Sequence, residues 1–325
     1  MPTIKDVAKQ AGVSVTTVSR VLNNRGYLSD DVKSKVHKAM EEINYQPNEI
    51  ARSLFRKKSN IIGLIVPSAS HPFFAALTNL TEAYAFEKGY KVMLCNSNLD
   101  LKKEKEYIEM LKRSQVDGII MGSHTLDVDD YKALKLPIVT LDRRIDEQIP
   151  FVSCDNYQGG QLATELLIQK GCKKIAYIGG NLTLDLLSNK RYDAFEEVAN
   201  RNDIETVLLE TDIKGFNFAE YDDLACKLFE EHPDIDGVFA SSDIIASYVI
   251  KAAIKNQMNI PDDIKVIGYD NINVAEFMTP ELTTIAQPIE IMSKKLVDLL
   301  IMQMDSENIN VENVFPVKLI QRQTT

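Results

Sequence analysis

The stretch TIKDVAKQAGVSVTTVSRVLN, residues 3–23, contains two helix starts separated by one glycine. Thr3 followed three residues later by Asp6 is a helix N-terminus signature, and Gly12 is a stop. Ser14 then opens a second helix, SVTTVSRVLN. The apolar residues Ile4, Val7 and Ala8 on the first, and Val18, Val21 and Leu22 on the second, recur at helical spacing. A third helix is predicted in SDDVKSKVHKAMEEINY, capped by Ser29 and ended by NYQP, with Val32, Val36, Met40 and Ile43 on one face. Three such faces suffice for one miniature core.

Two short helices at a steep angle need a small residue at the crossing, a residue tolerating positive φ in the turn, and an inward apolar residue on the second helix. Ala8, Gly12 and Val18 fill those places. The opposite face of helix two then carries Val15, Thr16, Thr17 and Arg20, with no acidic group. Short hydroxyls at a helix N-terminus approach base edges and phosphates closely, and an arginine one turn later can fork onto a guanine. A neutral surface patch is the bland alternative. The segment that follows, NEIARSLFRKK, sets Leu54 and Phe55 among Arg52, Arg56, Lys57 and Lys58. Basic groups around an apolar wedge are the composition of a minor-groove binder; a plain linker is the alternative. Residues 1–58 hold 11 Lys+Arg against 6 Asp+Glu, whereas the whole chain carries −10. A basic head on an acidic body is what contact of the head alone with a polyanion requires.

The full 325 residues suit one small and one larger bilobed unit. A composition 45% hydrophobic and 26% charged excludes disordered, collagen-like and coiled-coil classes. No apolar run approaches the roughly 20 residues of a membrane span. No hydrophobic stretch follows Met1, which predicts a cytoplasmic protein. Cys95, Cys154, Cys172 and Cys226 form no C-x-x-C pair and read as reduced core thiols. From Ile61 apolar strands alternate with amphipathic helices: IIGLIVP, YKVMLCNS, DGIIMGS, PIVTLD and FVSCDN, then KKIAYIGG, TVLLE, DGVFASSD, IKVIGYDN and LTTIAQP. That alternation means parallel sheets with right-handed crossovers. The halves echo each other, VDGIIMGS with IDGVFASSD and PIVTLDR with KVIGYDN, which predicts two doubly wound lobes around a cleft lined by strand ends. The tail adds a helix, PIEIMSKKLVDLLIMQM, and one strand, VFPVKLI, assigned to lobe one.

TIKDVAKQAGVSVTTVSRVLN…NYQPNEIARSL resembles the N-terminus of the LacI/GalR family of transcriptional regulators, and the similarity runs on through VDGII, Asp155-Asn156, SSD, VIGYDN and LTTIAQP. CNS…KEKEYIEMLKRSQVDGIIMGSH, LDR and VSCDNYQGG are most similar to sucrose-operon repressors of Gram-positive bacteria. The resemblance implies an α/β protein with a three-helix helix-turn-helix DNA-binding domain (1–47), a hinge helix (48–59) and a bilobed core like the periplasmic binding proteins, of two doubly wound parallel sheets (60–325). Lobe one would take about 60–157 and 289–325, and lobe two about 158–288. The implied activity is sequence-specific repression of a carbohydrate-utilisation operon, by a homodimer on double-stranded operator DNA. Thr3, Val15, Thr16, Thr17 and Arg20 would contact DNA, Asn48 and Ala51 would lie along the hinge helix, and Leu54 would be the intercalating wedge. With no leucine heptads after LIQRQTT, a dimer is expected over a tetramer.

Sugar sites combine an aromatic platform with charged side chains that bridge hydroxyls. The strand ends offer Phe73 or Phe74, Ser123, Asp142, Arg143, Asn156, Arg191, Asp243 and Gln287, of which the resemblance marks Phe73, Arg191 and Asp243 most directly. Core packing, helix capping and surface pairing are their bland roles. Asp185 and its neutral neighbours in NLTLDLLSN depart from the purine-repressor branch, which leaves a sugar or a sugar phosphate as the effector. Arg143, Arg191 or the helix start at Gly159-Gly160 would take the phosphate. No cofactor and no metal is expected: the four histidines show no metal spacing, and the nucleotide-loop, nucleophile-elbow and zinc-protease motifs are missing. The alternatives are a regulator responding to ribose, a global catabolite regulator with a phosphocarrier protein as corepressor, an exported sugar receptor, which would lack the basic head, and an α/β enzyme.

Overall fold

The computed structural model describes residues 2–23, 25–47, 58–211 and 218–325, in two compact units divided between Ser59 and Asn60. In the first unit α1 spans Ile4–Ala11, α2 Val15–Leu22 and α3 Asp30–Glu42. The Asp6 carboxylate accepts from both the Thr3 amide and the Thr3 hydroxyl at 2.8 Å. Gly12 takes the left-handed conformation at φ 65°, and the Val13 amide returns to the Ala8 carbonyl at 3.0 Å. Ser14 caps α2 by accepting from the Thr17 amide at 3.1 Å. Val7, Ala8, Val18, Val36 and Ala39 form the buried centre, with Ile4, Val21, Leu22, Met40 and Ile43 around it. Ala8 and Val18 meet because one is small and the other points inward, as the spacing predicts. Asn48, Ala51 and Leu54 lie outside the described residues.

The second unit has two six-stranded sheets. In the first, β1 (Ile61–Val66), β2 (Lys91–Asn96), β3 (Gly118–Met121), β4 (Ile138–Leu141), β5 (Phe151–Cys154) and, late in the chain, β11 (Glu312–Phe315) are ordered β11-β5-β4-β3-β1-β2. In the second, β6 (Lys174–Gly179), β7 (Glu205–Glu210), β8 (Gly237–Ala240), β9 (Lys265–Asp270), β10 (Thr283–Ala286) and β12 (Lys318–Ile320) are ordered β12-β10-β9-β8-β6-β7. All pairings are parallel except β10 with β12. The central strands are apolar throughout because helices cover both faces. Among these helices are α4 (Pro72–Glu87), α5 (Leu101–Arg113), α6 (Val128–Lys132) and α7 (Asn156–Gln169). They continue with α8 (Lys190–Arg201), α9 (Phe218–Glu231), α10 (Asp243–Lys255), α11 (Val274–Phe277) and α12 (Ile289–Met304). Helix α12 packs on α4 and on β3, β4 and β5, while α7 packs on α8.

The tail corrects one expectation. VFPVKLI is two strands rather than one: Pro316, which cannot donate to a ladder, interrupts it. Residues 312–315 finish the first sheet, while 318–320 cross to the second as an antiparallel edge. Lobe one therefore does not keep the chain to residue 325. The chain passes between the sheets at Asp155, at Gln287-Pro288 and at Pro316-Val317.

Candidate functional site

In the first unit α2 presents Val15, 40% exposed, together with exposed Thr16 and Arg20. Thr16 and Arg20 are four apart and share a face. The Arg20 Nε donates to the Arg25 carbonyl at 3.3 Å, which rests the guanidinium on the loop after α2. Thr17 is half-buried and its hydroxyl lies 2.8 Å from that of Ser14, so it belongs to the cap. Thr3 is likewise tied to Asp6. The structure thus brings Val15, Thr16 and Arg20 together on one open face and uses Thr3 and Thr17 to build the helix starts.

In the second unit the C-terminal ends of the strands from both lobes surround a cavity of about 430 Å³. Parallel sheets place such loops at one edge, which is why strand-end residues gather there. Arg191, at the start of α8, is 6% exposed. Its Nε donates to Asn156 Oδ1 at 2.7 Å, one terminal nitrogen donates to the Ser241 carbonyl at 2.8 Å, and its guanidinium lies 3.6 Å from the centre of the Tyr269 ring. Burial opposes its charge, but Tyr269, Cys154, Asp270 and Asp142 raise its pKa above the ordinary arginine value. It stays a cation.

Two carboxyls face it. Asp142 accepts from Ser153 Oγ and from Asn156 Nδ2, and burial raises its pKa against the pull of Arg191. Asp270, at φ 108°, accepts from Gln287 Nε2 at 2.7 Å; burial pushes it up to about 7, with Arg191 and Gln287 opposing. Phe73 and Phe74 meet edge to face at 5.1 Å and 84° on the same wall. His71 is held down to about 4 by burial, and His124 to about 3 by burial and Arg143, so both imidazoles are neutral at pH 7. His124 Nδ1, Thr125 Oγ1 and Gln287 Oε1 are buried in this wall without a hydrogen-bond partner among the described residues.

Of the residues the sequence nominates, Phe73, Phe74, Asp142, Arg191 and Gln287 line the cavity. The other four stand behind it, each for a visible reason. Asp243 is fully buried, one oxygen accepting from the Ile272 amide at 2.8 Å and the other from the Thr284 hydroxyl. Ser123 is turned inward onto Glu104 and Ser97. Arg143 donates to the His124 and Leu126 carbonyls at 3.1 and 2.9 Å, away from the space. Asn156 holds Arg191 and Asp142 from below. At the α7 start the two glycines are packed against neighbours and do not line the cavity: a Cβ on Gly159 would come within 2.6 Å of the Tyr269 ring, and Gly160 lies against the Arg191 carbonyl. Sequence reasoning passed over Asp270, although the echo of PIVTLDR in KVIGYDN sets it in register with Asp142. It also passed over Leu99, Leu101, Leu182, Leu184 and Leu186, which line the cavity as well.

No helix among the described residues is long and apolar enough to cross a membrane, and no three His, Cys, Asp or Glu among them cluster as metal ligands would. Residues 3–48 match the model of bacterial regulatory proteins of the lacI family, and residues 164–325 that of a periplasmic binding protein-like domain. The chain is 41% identical to a ribose operon repressor of Halalkalibacterium halodurans, over all of this chain and 97% of that one. It is 40% identical to a sucrose operon repressor of Pediococcus pentosaceus, over 98% of each. Among solved structures it resembles the lac repressor dimer bound to operator and the anti-inducer ONPF, with 26% identity, a TM-score of 0.87, and coverage of 99% and 98%.

Proposed function

Because this chain belongs to the lacI family of bacterial regulatory proteins, we propose that it is a dimeric transcriptional repressor of a carbohydrate-utilisation operon, released from its operator by an unphosphorylated sugar held between the two lobes of its core. The observation that carries the reading is the cavity wall. It pairs a fixed guanidinium with two carboxyls and adds neutral imidazoles. That is a surface for vicinal hydroxyls, which donate and accept at once, beside a phenyl pair suited to a sugar's C–H face.

The same wall argues against a sugar phosphate. Arg191 is the only Lys or Arg among the described lining residues, two of its donors are already engaged, and Asp142 and Asp270 oppose an anion. Ribose and sucrose, named for the relatives, are the first sugars to try. The protein works in the cytoplasm on chromosomal DNA and does no chemistry on its effector. Val15, Thr16 and Arg20 read base edges, and Leu54, with Asn48 and Ala51 alongside, kinks the minor groove. Reciprocal coupling between sugar and DNA follows from linkage, typically five- to 150-fold.

A fluorescence-anisotropy titration at fixed salt tests this. The duplex comes from the region upstream of the chain's own coding sequence, with a scrambled duplex as control, and ribose, sucrose, fructose and sucrose 6-phosphate are added in turn. Specific binding weakened by a neutral sugar is expected. Release by sucrose 6-phosphate alone refutes the uncharged effector, and equal binding to scrambled DNA refutes the repressor.

A further inference from the structure

Resting on the reading of Arg20 as a base reader, we infer that Gly26 is its positioning residue: the loop after α2 closes on the Arg20 side chain and fixes the direction of the guanidinium before DNA arrives, and a residue without a Cβ is what leaves room for it. Two links to Arg25 close the loop. The Arg25 amide donates to the Arg20 carbonyl at 3.0 Å, and the Arg25 carbonyl accepts from Arg20 Nε at 3.3 Å. One loop residue thus holds both the main chain and the side chain of Arg20. With Nε turned to the protein, base reading falls to the terminal nitrogens, the fork that matches guanine N7 and O6.

Gly26 comes next, at φ 71°. A Cβ there would collide with one terminal nitrogen of Arg20 and stand 3.4 Å from the guanidinium carbon. Gly12 supplies the contrast. It has nearly the same backbone conformation, at φ 65°, yet nothing lies within 4 Å of where its Cβ would be. The turn alone accounts for Gly12, whereas Gly26 answers to the turn and to Arg20. The atom in the way is the far end of a flexible side chain, while the loop is held by a main-chain hydrogen bond, so a Cβ displaces the guanidinium and not the backbone. Arg20 is exposed, and no core packing directs it. The loop does so instead, and an arginine fixed beforehand has less rotamer freedom to lose on meeting a base.

The test is anisotropy titration of the full chain with the upstream duplex and with a set in which each G·C pair of the half-site, located by footprinting, is replaced by A·T. Arg20→Ala should abolish the preference at one G·C pair. Gly26→Ala should lower the preference at that same pair about tenfold. The slope of affinity against salt, which counts phosphate contacts, should not change. Gly26→Asn, which accepts a positive φ, should behave as Gly26→Ala does, and Gly12→Ala, with an open Cβ, should keep the preference. In an Arg20→Ala background, Gly26→Ala should add nothing to the loss at that pair. Far-UV circular dichroism reports the fold of each variant. Full preference in both Gly26 variants, a loss shared equally by Gly12→Ala, or a Gly26 effect that persists without Arg20 overturns the positioning role and leaves Arg20 a base reader. An Arg20→Ala variant that keeps every preference overturns the base reading, and the role of Gly26 with it.

Discussion

Replacing Arg191 with alanine removes the buried cation of the cavity wall. Two hydrogen bonds from a charged donor, to Asn156 and to Ser241, are worth about 1.5–3 kcal/mol each. The stack on Tyr269 adds about 2 kcal/mol at a desolvated site. Against this, the guanidinium no longer has to be desolvated, and Asp142 and Asp270 can take up protons. Breaking a buried pair nets roughly 3–5 kcal/mol of lost stability, and that is the expectation here. The loss should depend on pH. Arg191 lowers the pKa of both carboxyls, so without it both titrate higher, and keeping them ionised becomes harder. The Arg191→Ala deficit should therefore be larger at pH 8 than at pH 5. The chain has no tryptophan, so urea unfolding followed by far-UV circular dichroism is the assay. A loss below about 1 kcal/mol, or one equal at both pH values, would refute the account of Arg191 as the counter-charge of this site.

Asp270→Asn tests the titration directly. The folded state raises this carboxyl from 3.8 to about 7, so it favours the protonated form; its contribution is full below about pH 4 and is lost as pH rises through 7. The variant should lack that slope in urea midpoints between about pH 4 and 7, and an unchanged slope would assign it to another group. Arg20→Ala should lower operator affinity by about 1–3 kcal/mol and relax sequence preference; an equal loss on all duplexes in anisotropy titrations would make Arg20 a phosphate contact only. Gly160→Ala drives a methyl into the Arg191 carbonyl and should destabilise the α7–α8 contact by about 1–3 kcal/mol, read as a lower melting temperature; an unchanged one would mean the helices part without strain.

The helical head was legible because its signals are local: Ser14 caps within three residues, Gly12 needs its positive φ, and Ala8 and Val18 stand at helical spacing. The parallel sheets were legible from continuous apolar strands. The split at Pro316 was not, since whether Lys318–Ile320 joins the first sheet or crosses to β10 is a choice between partners far away in sequence. At the cavity, residue type and strand-end position pointed to Phe73, Asp142 and Gln287, and the family resemblance to Arg191. They did not distinguish these from Asp243, Ser123, Arg143 and Asn156, whose side chains turn inward because the Ile272 amide, Glu104, two carbonyls and Arg191 are there to receive them. Which way a strand-end side chain faces is decided by such partners, and their positions are set by tertiary structure. Leu182, Leu184 and Leu186 escaped notice because the segment NLTLDLLSN was read for the charge of Asp185 and not for its leucines.

The three passages between the sheets, at Asp155, Gln287-Pro288 and Pro316-Val317, are each one or two residues long, and two of them contain proline. Three short connections, two of them stiffened by proline, restrict how the lobes can shift against each other more than three long ones would. We expect a molecule wedged between the lobes to turn them about these connections rather than to slide them apart. Lengthening any one connection by a few glycines would leave the cavity's chemistry untouched and add slack to that turn.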